Sequence, residues 1–290
     1  MFKKILFATS TTKACDPAAR VAFNVTNLYN AHLTIFHVIE SDSPGEPKTD
    51  GEKKLTEKIE TYYSDQLPKA ESYEIKTAVG LPDKAILEEI QKCQFDLLVM
   101  GVSTGGEASL NQEIETAGST FQKVVRQSPC PVLIVNRAAA SFWGSISNVV
   151  FATDFSTASD KAFDFACKLA GQTGCELHIF HAQNTSLTPT SKKFTQDDIE
   201  GRIREKLRFS RGKYASKIDG IKNYSIEVWE GNPYTEIVKY AREKYSDLIV
   251  MAQDSQNPGS QTHELGSTIK QVILRAGCPV LCLNKEKKSK

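Results

Sequence analysis

Residues able to hold an anion recur at two places in this sequence. Gly101-Val102-Ser103-Thr104-Gly105-Gly106 follows an apolar run and leads on to Gly118-Ser119-Thr120. Glycines let backbone N–H groups come close to an anion, and Ser and Thr at a helix start add donors beside its positive end. A phosphate site is therefore the functional reading of Gly101, Gly105, Gly118, Ser119 and Thr120. The same residues also suit a glycine-bearing loop with an ordinary serine cap, and residue types alone leave both open. Further along, Met251 is followed by Ala252-Gln253-Asp254-Ser255 instead of glycines, yet Gly266-Ser267-Thr268 is kept. Asp154 follows an apolar run of its own. Its carboxylate suits a ribose or base as a hydrogen-bond acceptor, or it caps the helix expected after Phe155-Ser156.

Other chemistry finds less support. His178 and His181 lie three apart on an expected strand, so they face opposite ways and cannot share a metal. No Gly-x-x-x-x-Gly-Lys-[Ser/Thr] loop occurs and no Gly-x-Ser-x-Gly elbow. No catalytic residue and no metal ligand is assigned, although slow hydrolysis of a bound nucleotide stays open. Thirty-six basic against 35 acidic side chains give a net charge of +1, so no global field draws the chain to nucleic acid or anionic lipid. Lys and Glu are mixed along the charged stretches, which reads as solvated helix faces. The start, Met1-Phe2-Lys3-Lys4-Ile5-Leu6-Phe7-Ala8, reads as a strand and not a signal peptide, and no run reaches the roughly 20 apolar residues of a membrane span. Seven scattered cysteines without a C-x-x-C pair fit a reducing cytoplasm and small buried hydrophobes.

The elements that would position these residues are written twice. Ile5-Leu6-Phe7-Ala8-Thr9-Ser10 recurs 144 positions later as Val149-Val150-Phe151-Ala152-Thr153-Asp154, and Leu33–Val38 recurs in the same register as Leu177–Ala182. Gly80-Leu81-Pro82 matches Gly231-Asn232-Pro233, and Asp96-Leu97-Leu98-Val99-Met100 matches Asp247-Leu248-Ile249-Val250-Met251, now 151 positions apart. Gly118-Ser119-Thr120 and Cys130-Pro131-Val132-Leu133 recur after 148 positions. The second copy thus gains seven residues in its middle and loses three before its Gly-Ser-Thr. Two domains are expected, residues 1–137 and 146–285.

Within each copy, strand and helix alternate. A first strand precedes an amphipathic helix with Ala18, Val21, Ala22, Val25 and Leu28, or Ala162, Phe165, Ala166 and Leu169, on its apolar face. A second strand, a charged helix (52–66 or 196–217) and a third strand follow. Proline after Gly80 or Gly231 marks another helix start. Leu97–Met100 and Leu248–Met251 are continuous apolar runs, as in strands covered on both faces. The expected fold is α/β: two tandem domains, each a mainly parallel, doubly wound open sheet. Ligands of such sheets sit beyond the carboxyl ends of the strands, where strand order reverses.

Taken together, two copies of Phe-Ala-Thr-[Ser/Asp], Gly-x-Pro, Asp-Leu-[Leu/Ile]-Val-Met, Gly-Ser-Thr and Cys-Pro-Val-Leu in fixed order resemble a tandem universal stress protein of the UspA superfamily. The resemblance covers both halves and implies two tandem flavodoxin-like or Rossmann-like domains, each a five-stranded, mainly parallel sheet with helices on both faces. It implies pairing through the last strands, giving a pseudo-dimer within one chain, and leaves room for two chains to form a homodimer. ATP-binding members of the family carry Gly-x2-Gly-x9-Gly-[Ser/Thr] after the fourth strand and an Asp ending the first. The first copy matches at Gly101 and Gly118-Ser119, with Thr104 at the second glycine and Gly105 beside it. Its loop is four residues longer than the pattern, and Ser10 replaces the aspartate. The second copy keeps Asp154 and Gly266-Ser267, with Ala252 and Ser255 in place of glycines. A β-carbon at a glycine position obstructs either the backbone geometry or the approach of a phosphate, which counts against a triphosphate there.

The resemblance thus implies a cytoplasmic stress-response regulator, not a committed enzyme, that binds an adenine nucleotide in at least one copy. The ligand is ATP or AMP-like, with or without Mg. In the first copy the backbone of Thr9 and Val38 would border the nucleoside, and Gly101, Gly105, Gly118, Ser119 and Thr120 the phosphates. In the second, Asp154 would meet the ribose or base with the Ala182 backbone nearby, and Gly266, Ser267 and Thr268 any phosphate. The rival reading is a nucleotide-free scaffold whose degenerate loops have become surfaces for an unidentified protein partner.

Overall fold

The computed structural model describes residues 1–40, 49–102, 119–136, 145–184, 195–218, 220–253 and 265–284. The first repeat contains β1 (Lys4–Ala8), α1 (Asp16–Tyr29), β2 (His32–Glu40), α2 (Thr49–Tyr62), β3 (Tyr73–Gly80), α3 (Pro82–Cys93), β4 (Leu97–Gly101), α4 (Ser119–Gln127) and β5 (Val132–Val135). The second contains β6 (Asn148–Ala152), α5 (Thr157–Thr173), β7 (Glu176–Gln183), α6 (Gln196–Tyr214), β8 (Tyr224–Glu230), α7 (Pro233–Glu243), β9 (Leu248–Gln253), α8 (Ser267–Arg275) and β10 (Val280–Asn284).

All ten strands form one sheet, in the order β3-β2-β1-β4-β5-β10-β9-β6-β7-β8. Every pairing within a repeat is parallel; the single antiparallel pairing joins β5 to β10, with Leu133 opposite Leu281. The last strands thus fuse the two five-stranded halves within one chain, about a pseudo-twofold axis. Apolar residues cover both sheet faces. Phe7, Val21, Leu33, Val99, Phe151, Phe163 and Tyr214 belong to the cluster under α1, α2, α5 and α6. Leu6, Ile86, Leu98, Val124, Val150, Tyr240 and Val272 belong to the cluster under α3, α4, α7 and α8. Alternate residues of one strand serve opposite clusters, as strand geometry requires.

Small local signals set the boundaries. The glycine of each Gly-x-Pro has φ near +143°, a conformation that side chains disfavour, and the proline is the first residue of α3 or α7. At Gly231 a β-carbon would also lie 2.7 Å from Glu236 Cγ. Asp96 and Asp247, which open the Asp-Leu runs, act as clamps. Asp96 Oδ2 accepts the N–H groups of Lys3 and Lys4 at 2.7 and 2.9 Å, and Asp247 Oδ2 those of Ser147 and Asn148 at 2.7 and 3.0 Å. One side chain thereby fixes where each first strand enters beside its neighbour. Two expectations need adjustment: Leu28 is 46% exposed, and Phe163, rather than Phe165, is the fully buried aromatic of α5.

Candidate functional site

Strand order reverses between β1 and β4 in the first repeat and between β6 and β9 in the second, so a crevice opens at their carboxyl ends. Ala8 is level with Met100 and Phe36, which puts Thr9 beside Gly101 at the crevice floor. Because β2 runs to Glu40 while β1 ends at Ala8, the β1-facing side of Val38 borders this crevice instead of a strand. In the second repeat Ala152 is level with Met251 and Phe180, and Ala182 lies in the place of Val38. The strand-end residues expected at the site therefore come together in each copy. Ser119 and Ser267 are the first residues of α4 and α8, and Gly266 is the N-cap of α8. Thr120 is half-buried, as is Thr268, while Ser267 is exposed. Gly105 and Gly118 lie outside the described residues.

The floor of each crevice is built by a hydrogen-bond relay that the sequence reading did not include. The Thr9 N–H donates to the Phe36 carbonyl at 2.9 Å, and the Thr9 carbonyl accepts from His37 Nδ1 at 2.9 Å. Its hydroxyl meets the Tyr63 hydroxyl at 2.6 Å and accepts from the Thr11 N–H at 3.0 Å. The second repeat repeats every link. Thr153 N–H donates to Phe180 O at 2.9 Å, His181 Nδ1 to Thr153 O at 2.8 Å, and Thr153 Oγ1 lies 2.7 Å from the Tyr214 hydroxyl and 2.9 Å from the Phe155 N–H. Since a carbonyl only accepts, both imidazoles must carry their proton on Nδ1. Burial lowers the pKa of His37 and of His181, outweighing the bond to the threonine carbonyl, which acts in the opposite direction. Tyr63 and Tyr214 lie 151 positions apart, in the register of the repeat, but each sits at the end of a charged helix that otherwise reads as solvated.

Asp154 serves its own loop. Its Oδ1 accepts from the Ser156 N–H at 2.9 Å and from the Ser159 hydroxyl at 2.6 Å, while Ser156 is the N-cap of α5. Burial pushes the Asp154 carboxyl up, but the bonds from Ser159 and Ser156 outweigh it and hold it below its ordinary value. The carboxylate is thus charged, exposed and oriented toward the start of α5.

The loops after the first strands are tied down differently. In the first repeat the Tyr62 hydroxyl donates to Asp16 Oδ1 at 2.8 Å. In the second, the equivalent Lys213 pairs with Asp160 at 2.8 Å and also donates to the Phe155 carbonyl at 2.9 Å. The Phe155 ring then lies on His181, 4.4 Å between centroids, with Phe209 edge-on at 5.1 Å. Thr11 occupies the position of Phe155 in the first repeat, so the His37 ring carries no such aromatic cover.

Gly101 has the start of α1 beside it: a β-carbon there would lie 3.6 Å from Ala18 Cβ and from the Ala14 carbonyl, an ordinary contact. Its φ is outside the left-handed region. The replacement of this first glycine by Ala252 therefore imposes no backbone strain, so of the two expected obstructions only the approach of a phosphate is left for a β-carbon there.

A groove of about 730 Å³ lies away from both crevices, along the outer edge of β3 between α2 and α3. Lys76 spans it, 3.1 Å from Glu74 and 3.0 Å from Glu89. Charged side chains along an edge strand guard against unwanted strand pairing. Among the described residues no cluster of three metal-ligating side chains occurs, and no helix is long and apolar enough to cross a membrane.

The family model described as the universal stress protein family matches residues 1–136 and again 145–284. The chain belongs to this family, as two tandem domains. A universal stress protein of Methanocaldococcus jannaschii is 27% identical over 146 residues, 47% of this chain and 84% of the relative. One from Thermus aquaticus is 33% identical over 144 residues, 47% of this chain and 99% of the relative. Each such match spans 47% of this chain, about the length of one repeat. A solved universal stress protein of Archaeoglobus fulgidus covers the whole arrangement, with 20% identity, 99% of this chain, 97% of that chain and a TM-score of 0.70.

Proposed function

We propose that this tandem universal stress protein is a cytoplasmic regulator that binds an adenine nucleotide, ATP or AMP-like, in at least one repeat. The observation that carries the reading is the first-repeat crevice. Thr9, Val38 and Gly101 converge at the switch point, the floor is locked by His37 and Tyr63, and Gly101 presents no side chain. In a pre-ordered cleft of this kind the ligand does not have to supply the ordering free energy. The nucleoside would lie along the Thr9 and Val38 backbone, with its phosphates toward Gly105, Gly118, Ser119 and Thr120. Asp154, Ala182 and Gly266-Ser267-Thr268 would form the second site.

The experiment is a calorimetric titration of the nucleotide-stripped full chain with Mg-ATP and with AMP, alongside thermal unfolding. Saturable heat and a raised unfolding temperature are expected. Silence at two temperatures, with no thermal response, would favour the scaffold reading. That second reading draws on Asp154, whose Oδ1 is already held by Ser156 and Ser159.

A further inference from the structure

The fourth strands of the two repeats end on residues of different chemistry. Gln253 ends β9, where the first repeat has Val102 in a corresponding position 151 residues earlier. Gln253 is 5% exposed and Val102 is 6% exposed, so both point inward. Gln253 alternates along β9 with Met251 and Ile249, which places it on the α7 and α8 face of the sheet. Its amide reaches the start of α8: a β-carbon built on Gly266 would lie 3.6 Å from Gln253 Oε1 and 4.0 Å from Nε2. β10 holds it there, with Asn284 as its register partner.

The first turn of a helix presents N–H groups without intrahelical partners, and its end carries partial positive charge. Gly266 supplies no side-chain cap to α8. A buried amide at this spot lies beside the positive end of the helix, where the nucleotide-binding reading puts a phosphate. Val102 carries no polar atom for the same task. A phosphate entering the second repeat must therefore expel a buried amide that costs free energy to leave unpaired, whereas Val102, the first-repeat residue at this position, has no side-chain hydrogen bond to give up.

We infer that Gln253 closes the second repeat to phosphates, so that the two-lobed chain carries one phosphate-accepting nucleotide site, in the first repeat. The inference rests on the nucleotide-binding reading above and assigns that function to one lobe. Binding becomes asymmetric in a nearly symmetric molecule.

The test is calorimetric stoichiometry with Mg-ATP on the full chain, for the wild type, Gly118→Val, Gln253→Val and the double variant. Gln253→Ser serves as a second opening variant, and thermal unfolding checks that each protein is folded. The wild type is expected to bind one equivalent, lost in Gly118→Val. Gln253→Val should bind two, one of which survives in the double variant. Two equivalents in the wild type would overturn the inference, as would a single equivalent that survives Gly118→Val. So would one equivalent in both opening variants when they unfold at the wild-type temperature. No heat with the wild type but one equivalent with Gln253→Val would refute the first-repeat site and keep the closure. Silence in all four would remove both.

Discussion

Asn136 and Asn284 stand at equivalent positions, 148 residues apart, and each side-chain amide crosses the pseudo-twofold axis to the last helix of the other repeat. Asn136 Nδ2 donates to the carbonyls of Ile273 and Ala276 at 2.9 and 2.7 Å; Asn284 Nδ2 donates to those of Val125 and Ser128 at 2.6 and 2.9 Å. The last carbonyls of a helix lack intrahelical donors, so each repeat completes the helix ends of its partner. The β5–β10 ladder joins the sheets, and these two amides join the helical layers. Asn284, the register partner of Gln253, thus grips the carboxyl end of α4.

Replacing either asparagine by leucine should therefore weaken the junction. Two buried carbonyls lose their donor in each case, at a cost of about 1–3 kcal/mol. Urea unfolding with two probes, one fluorescent and one of secondary structure, should show lower midpoints for Asn136→Leu and Asn284→Leu. An unchanged midpoint in both would mean that the ladder alone holds the lobes.

Tyr63→Phe and Tyr214→Phe each delete one hydroxyl from a threonine relay without changing the packing of the ring. Each should cost about 0.5–1.5 kcal/mol. Nucleotide affinity separates the two substitutions. If the first repeat is the binding lobe, Tyr63→Phe loosens the floor beneath the ligand and raises Kd, while Tyr214→Phe lowers stability and leaves Kd alone. Equal effects on Kd would count against that assignment.

Much of this was legible in the sequence, because the duplication doubles every signal. Phe7 with Phe151, Gly80 with Gly231 and Asp96 with Asp247 mark the same strand, turn and strand entry twice, so a motif weak in one copy is confirmed by the other. Tyr63 and Tyr214 obey the same register but sit at the ends of Lys- and Glu-rich helices, whose composition speaks for solvent. Their burial comes from packing against Phe7 and Phe151, with the hydroxyl held by a threonine at the strand end, tertiary contacts that helical periodicity does not encode. Asn136 and Asn284 share the register of the repeat, but a lone asparagine after a strand carries no signal, and their partners lie in the other repeat, more than 130 residues away. Gln253 carries no repeated signal at all. It departs from Val102, and only the position of Gly266 gives that departure a meaning.

Acid should destabilise the fold before any carboxylate is neutralised. Burial lowers the pKa of His37, His181 and His178 from the ordinary 6.5. A group whose folded pKa is lowered contributes stability that is complete above its unfolded value and is lost as pH falls through its folded value. Unfolding temperature should therefore be flat between about pH 7 and 8 and decline below about 6.5. Asp154, also lowered, adds a second decline at more acidic pH. In a variant combining His37→Gln and His181→Gln the first decline should shrink. If it keeps its full size, these two imidazoles are not its source.

Thiol accessibility offers a check on the core itself. Cys15, Cys130, Cys175, Cys278 and Cys282 are buried, and Cys93 and Cys167 are half-buried, all seven as free thiols. Burial pushes Cys130 up to about 11 and Cys278 up to about 12, and raises Cys282 further. The thiolate is the reactive species, so low access and a raised pKa both slow labelling. Cys167 is slowed as well, because burial and the nearby Asp164 carboxylate raise it to about 11. With a disulfide reagent at pH 8, Cys93 should react first and the five buried thiols only as fast as the protein opens, while denaturant should release all seven. Cys282 discriminates best, because it lies on β10 opposite Val132 of β5. Fast native labelling of Cys282 would mean that the two repeats separate readily, and the Asn136 and Asn284 clamps would then contribute little to holding them together.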